Sequence, residues 1–385
     1  MAMDLDGRNV TDFRLSMRAA LIAIAAALVA GLSGTCAAMS DAELERVITR
    51  EIAPMADEIG GAAVAVRRDG RTTFFNYGLA ERANKRPITL DSLFNVASVR
   101  KVFEATLLAQ AVNLGELALA DRAADYVTEL RQGEYISRVT LGQLASHTSG
   151  LLLPTDHPPW PDYRYSLPDF LRVLNAWRPS EGQEPGKQRT YTHAGYVLLQ
   201  LALERRFATP IAQLMEQRVF KPLGLLSTSI PERGRDDRAQ LAPALMRRAV
   251  QGYSVDGNPI GSPGDQQGYF DFPGTGQMFS SARDLAIFLA AELGELSIDP
   301  LLRDAMAMTR RGVFAVSTRS SQALAWEIDD YGGLVIIDKP GGLNNASTYI
   351  GLVPGKKLGI VILVNRGEQY PHDAARERIL PALAR

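Results

Sequence analysis

The chain has 385 residues, of which 46% are hydrophobic and 22% charged, and a net charge of −1. That is the make-up of one or two globular domains, which excludes disordered, collagen-like and coiled-coil chains. With no basic surplus to neutralise phosphates, nothing points to nucleic-acid binding. Cys36 is the single cysteine, so an internal disulfide, a thiolate zinc site and an iron–sulfur cluster are excluded as well. Only 7 of the 42 basic residues are lysine, so a lysine inside a motif carries more information than usual.

Arg14 and Arg18 precede an apolar run from Ala19 to Leu32, and small residues follow from Ser33 to Ala38. A basic stretch, a short apolar core and an Ala-rich cleavage site make a secretory signal, expected to be cut after Ala38, with Ala37 as the neighbouring choice. The run is short for a membrane span. The expectation is a periplasmic protein with residues 39–385 as its catalytic domain, no Cys36, no stable membrane anchor and a monomeric state. An uncleaved N-terminal anchor is the alternative.

Past the leader, Ser40–Ile59 reads as a helix capped by Ser40, with Leu44, Val47, Ile48 and Ile52 on one face. Ala62–Val66 and Thr72–Tyr77 read as strands joined by an Arg68-Asp69-Gly70 turn. At the far end, Gly333–Asp338, Ser347–Val353 and Leu358–Val364 read as strands and Ala374–Ala384 as a closing helix. Between them the helical period returns over Val99–Leu114, Leu141–Ser146, Leu167–Trp177, Ala194–Arg206, Ile211–Val219 and Ala282–Leu293. Proline-rich residues 154–168 and the Gly- and Pro-dense residues 252–276 read as loops. The fold class is α/β of the α+β type: one antiparallel sheet built from both chain ends (about residues 60–80 and 330–365), flanked by helices, with a mostly helical lobe inserted. The cleft between sheet and lobe is the expected ligand site.

Three short motifs carry chemistry. In Ser98-Val99-Arg100-Lys101, Ser98 and Lys101 fall at i and i+3 of a helix start, so their heads can meet. A lysine with a depressed pKa can take the proton of a nucleophilic serine. Tyr191-Thr192-His193 opens the next long helix, and a phenol beside ammonium groups is expected to have a lowered pKa and to shuttle protons. Lys339-Pro340-Gly341-Gly342 follows an apolar strand and offers a carboxylate-binding charge with backbone N–H groups for an oxyanion. Taken singly, each motif has a plain structural reading: an exposed helix lysine, an amphipathic tyrosine, a solvated turn. His147 and His157 read as structural or loop residues.

The order Ser-Lys, Tyr, Lys-x-Gly resembles the penicillin-recognising serine hydrolases, specifically the class C β-lactamases, over about residues 42–385. Phe94-Asn95-Val96-Ala97, the Leu144–Leu151 stretch, Pro222-Leu223-Gly224-Leu225, Gly359–Asn365 and Tyr370-Pro371 add to the resemblance. The resemblance implies a β-lactamase/transpeptidase-like fold and a β-lactam substrate. It implies that Ser98 is acylated while Lys101 and Tyr191 share proton duty. Lys339 would steady Tyr191 and attract the substrate carboxylate, and the N–H groups of Ser98 and Gly342 would form the oxyanion hole. No cofactor is required. Three substrate-facing groups depart from the family pattern: His193 stands for the usual Asn, Pro340 for the usual Thr, and His372 for the Asn of Tyr-Pro-Asn. Losing the amide at 193, which reads the acylamido arm, predicts a relative preference for carbapenems. The metal reading is none; zinc on His193 and His372 is the alternative, and it would need a third ligand or a water. A D,D-peptidase or esterase of the same fold, and a non-catalytic penicillin-binding sensor, are the rival readings.

Overall fold

A computed structural model describes residues 39–56, 60–156, 164–233, 239–264 and 277–385. The expected leader and cleavage site, Cys36 and His157 lie outside the described residues. The chain divides into two compact units, Met1–Leu44 and Glu45–Arg385; the sheet and the site belong to the second. No helix among the described residues is long and apolar enough to cross a membrane.

The sheet has nine strands, and both chain ends build it as expected. Strands β1 (Gly61–Arg68), β2 (Arg71–Glu81) and β3 (Arg86–Pro87) come first. Strands β4 (Phe314–Ala315), β5 (Ser320–Gln322), β6 (Glu327–Tyr331), β7 (Leu334–Leu343), β8 (Ala346–Val353) and β9 (Leu358–Val364) come last. The order is β4-β5-β6-β7-β8-β9-β1-β2-β3, antiparallel throughout. Strands β8 and β9 are buried along their whole length; β9 reads as a near-continuous apolar run, while β8 also buries Ser347 and Thr348. Asp69 and Gly70 turn the first hairpin with φ of 49° and 76°, the doubly positive geometry that favours Asp-Gly.

Helix α1 (Asp41–Ile52) starts at a Ser40/Glu43 capping box. It gives way after Ile52 to a 3₁₀ turn containing Pro54 rather than running to Ile59. Helix α2 (Arg100–Asn113) is buried on nearly every face. Its Phe103 ring stacks at 4.2 Å on Phe288 of the helix Ala282–Glu292, which packs on β1 and β9. A further helix, Pro300–Thr309, covers α2 from the other side. Helix α3 (His193–Phe207) crosses the inserted lobe and is buried over its first eleven residues except His193. Thus α2 is packed among helices, and β7 meets the Ala97–Val99 turn that leads into its N-terminus.

Two further expectations are corrected. The Lys339–Gly342 motif does not follow a strand end; it lies inside β7, which continues to Leu343. Pairing with β6 stops at Glu327 opposite Asp338, while pairing with β8 continues from Ile337 to Leu343. The helix expected at Ile211–Val219 is α-helical only to Met215, then widens into a π turn over Glu216–Phe220.

Candidate active site

Ser98 sits in a 3₁₀ turn, Ala97–Val99, that leads into α2. Ala97 adopts a left-handed conformation, φ 49°, which costs a non-glycine residue about 1–2 kcal/mol. The turn is pinned around it. The Ala97 N–H donates to Asn95 Oδ1 at 3.0 Å, Val96 N–H to Met278 O at 2.9 Å, and Thr348 Oγ1 to Val96 O at 2.9 Å. Residue 341 lies so close to this turn that a Cβ there would stand 2.9 Å from Val96 O and 3.0 Å from Ser98 N. Glycine is required for that approach. It brings the β7 backbone beside the Ser98 amide.

The functional heads converge on the serine. Tyr191 Oη lies 2.6 Å from Ser98 Oγ, and Lys101 Nζ donates to the same oxygen at 3.1 Å. Lys339 Nζ stands 4.7 Å from the Tyr191 ring centroid and Lys101 Nζ 5.2 Å. Thr192 caps α3, accepting from Gly195 N–H at 3.1 Å. The Asp156 carboxylate receives the N–H groups of His193 and Ala194. That pairing satisfies the orphan donors of the helix start and fixes the Tyr191 turn.

A cavity of about 430 Å³ opens here. Ser98, Tyr191, His193, Lys339, Pro340, Gly341, Gly342 and His372 all line it, so every substrate-facing position expected from sequence reaches one pocket. Lys101 lies beneath it, fully buried.

The electrostatics correct one expectation. Two ammonium groups do not lower the Tyr191 pKa. Loss of solvent around the phenol raises it above the ordinary tyrosine value, Glu327 and Asp156 push the same way, and the Ser98 hydrogen bond only partly opposes them. Burial, with the Lys339 charge second, drives Lys101 well below the usual lysine range. The group poised to accept a proton is therefore the Lys101 amine, with Tyr191 held as a neutral phenol.

Several contributors were invisible in the sequence. Burial would raise the Glu327 carboxyl, but Lys339, Arg189 and Arg376 outweigh it and bring it to about 2. Glu327 Oε1 meets Lys339 Nζ at 3.2 Å and Arg189 at 3.0 Å, and its other oxygen meets Arg376 at 3.1 Å. Arg376 also pairs with Asp338 through two 2.6 Å bonds. His147, read as a structural or loop residue, packs its ring 4.5 Å from the Tyr191 ring and accepts the Thr192 N–H on Nδ1 at 3.3 Å. Arg189, two residues before Tyr191, was the one available hint.

The family model described as Beta-lactamase matches residues 46–384. The chain belongs to the beta-lactamase family. It is a serine hydrolase with the class C fold. A curated "Beta-lactamase" from Pseudomonas fluorescens is 29% identical over 368 residues, covering 86% of this chain and 95% of that protein. A solved class C beta-lactamase from Rhodobacter sphaeroides superposes with a TM-score of 0.74 at 28% identity, covering 89% of this chain and 99% of the other. A D-alanine carboxypeptidase from Burkholderia cenocepacia superposes with a TM-score of 0.75 at 30% identity, covering 89% and 100%.

The zinc alternative at His193 and His372 finds no third protein ligand among the described residues. His193 and His372 both line the pocket of this beta-lactamase family member. Among the described residues, however, neither belongs to a cluster of three metal-capable side chains. The one such cluster is Glu327, Asp329 and Asp338, and two of its carboxylates are already held by the Lys339, Arg189 and Arg376 cations. His372 Nε2 instead lies 3.3 Å from Asp373 Oδ1.

Proposed function

We propose that this chain is a periplasmic, monomeric serine β-lactamase of class C type that opens the β-lactam ring through an acyl-enzyme on Ser98. The observation that carries this reading is the convergence of Lys101 Nζ and Tyr191 Oη on Ser98 Oγ at 3.1 and 2.6 Å. Lys101 takes the serine proton as Oγ attacks the lactam carbonyl. The N–H groups of Ser98 and Gly342 hold the oxyanion. The proton returns through Tyr191 to the departing ring nitrogen. Water then attacks the ester along the same relay in reverse, and Lys339 draws in the substrate carboxylate. The leader read from the sequence supports the periplasmic placement. A D-alanine carboxypeptidase is the second reading, favoured by the Burkholderia neighbour. Intact mass after minutes and after hours with a β-lactam separates the two. A short-lived adduct with steady nitrocefin turnover is expected, and an adduct that persists for hours supports the peptidase or sensor reading.

Pro340 is expected to weaken substrate binding. Alternate residues of a strand direct their N–H groups to opposite sides, so residue 340 shares a side with Gly342. Beyond Asp338 that side has no strand partner, so proline costs no ladder bond. The loss falls on the substrate carboxylate, which forgoes a threonine hydroxyl. A hydrogen bond to a charged group is worth about 1.5–3 kcal/mol, so Pro340→Thr should raise kcat/KM about tenfold or more. No gain on either a cephalosporin or a carbapenem would remove residue 340 from the carboxylate site.

We propose further that His193 tilts selectivity toward carbapenems. Its ring stands edge-on to Tyr191 at 5.4 Å on the pocket wall, where an amide would read an acylamido arm. His193→Asn is expected to shift the kcat/KM ratio toward cephalosporins, and a ratio that stays put removes His193 from the arm.

A further inference from the structure

Behind Lys101 lies an ion pair that the mechanism above does not use. Arg100 and Glu104 are both fully buried on α2, with Arg100 Nη2 3.6 Å from Glu104 Oε2. Arg100 is anchored in turn to Gln200 Oε1 of α3, and Gln200 to Glu204 at 3.3 Å. Among the described residues, neither oxygen of Glu104 has a hydrogen-bond partner. A buried charge without hydrogen bonds is costly, and packed apolar residues often serve a fold as well as an ion pair does. Stability alone is therefore a weak account of the pair.

Its placement offers a stronger one. Glu104 follows Lys101 by three residues, which puts both on one face of α2. Lys101 Nζ lies 5.5 Å from the ring centroid of Tyr196, which is on α3, and Tyr196 also senses the Glu104 charge. We propose that Glu104, held by Arg100, is a positioning residue that sets the proton affinity of Lys101 and hence the pH range in which Ser98 is acylated. This rests on Lys101 being the acceptor of the Ser98 proton.

Other charges face Lys101 and set the sign. Lys339 on β7 and Arg100 lower its proton affinity; Glu104 and Asp156 raise it. His147, His193, Tyr191 and Tyr196 complete the titratable surroundings. Glu104 itself faces Arg100, Lys101 and Glu204, and burial raises its carboxyl to about 7 despite the two cations. With Glu104 ionised, Lys101 keeps its proton to higher pH. Glu104→Gln removes the opposing charge, so Lys101 becomes a free amine at lower pH.

The experiment follows Ser98 acylation by p-nitrophenyl acetate against pH: Oγ forms the acetyl ester, Lys101 takes the proton and p-nitrophenolate leaves. This probe does not require a β-lactam. In Glu104→Gln the acid limb should move down by up to about one unit, the scale of a nearby opposite charge, because only the ionised fraction of Glu104 acts on Lys101. Glu104→Asp, which keeps the charge, should restore it toward the parent. If Glu104→Gln fails to fold, Arg100→Met combined with Glu104→Met replaces the pair by apolar volume. Its limb should move the same way but less, because a repelling cation leaves as well. An unmoved limb in a folded variant overturns the inference. Ser98→Ala is the separate control: if it retains ester turnover, the nucleophile assignment fails instead.

Discussion

Ser98→Ala is expected to abolish β-lactam turnover and covalent labelling together. Loss of a serine nucleophile typically costs about 10⁶-fold in kcat, leaving only what binding and oxyanion donors supply. The fold should survive. Ser98 is 7% exposed and its side chain contributes one hydroxyl to the pocket wall. The strained turn beside it is held by Asn95, Met278 and Thr348, none of which touches that hydroxyl. Two hydrogen bonds are lost, to Tyr191 and Lys101, and each is worth about 1 kcal/mol net. The measurement is intact mass after incubation with a β-lactam, beside a thermal melt. A full-stoichiometry adduct on the folded variant would place the nucleophile elsewhere.

The parts of this site that could be read in the sequence are those fixed by local geometry. Ser98 and Lys101 are three residues apart on one helix, and Tyr191 stands directly before a helix whose cap, Thr192, is readable from residue type. The inner strand β9 declared itself because full burial favours a near-continuous apolar run, and β8 through its apolar half from Tyr349 to Val353. The outer strands did not. Ser320–Gln322 and Glu327–Tyr331 are short, polar and part-exposed along most of their length, so neither period nor composition marks them. Their strand state comes from pairing, β5 with β6 and β6 with β7. Glu327 therefore stayed hidden, since its role depends on that long-range register. The helix Pro300–Thr309 was legible in principle, because Asp299 caps it and Pro300 opens it.

The proton chemistry was the least legible part, because sequence gives the identity of charges and not their burial. Two lysines near one phenol suggested an ionised tyrosine. The fold buries all three groups, and burial acts on each in the direction of neutrality. It therefore favours a neutral Lys101 and a neutral Tyr191 together. Glu327 then serves as the counter-charge that opposes the effect of burial on Lys339. Lys339 can keep its proton for the substrate carboxylate while Lys101 gives up its own to become a base. Burial thus lowers the proton affinity of both lysines, but Lys339 has the Glu327 and Asp338 carboxylates opposing it, whereas on Lys101 the nearby Lys339 charge adds to it.

Tyr191→Phe tests that division. The variant keeps the ring, and with it the packing against His147 at 4.5 Å and the face presented to Lys339 at 4.7 Å. Only the hydroxyl 2.6 Å from Ser98 is lost. Acylation should fall less than deacylation, since Lys101 still reaches Ser98 Oγ directly. Deacylation should slow by about 10²-fold or more, the scale of a missing general acid–base group. An acyl-enzyme should then accumulate and be visible by mass hours after mixing, where the parent has already turned over. Because burial holds the phenol above its ordinary pKa, no tyrosinate limb is expected near neutral pH in the parent. The low-pH limb should belong to Lys101 and survive the substitution. If deacylation is unchanged in Tyr191→Phe, the relay does not pass through the phenol, and the water must be activated by Lys101 alone or by His193. If instead the low-pH limb disappears with the hydroxyl, Tyr191 is the titrating base after all, and the neutral-phenol account of this site fails.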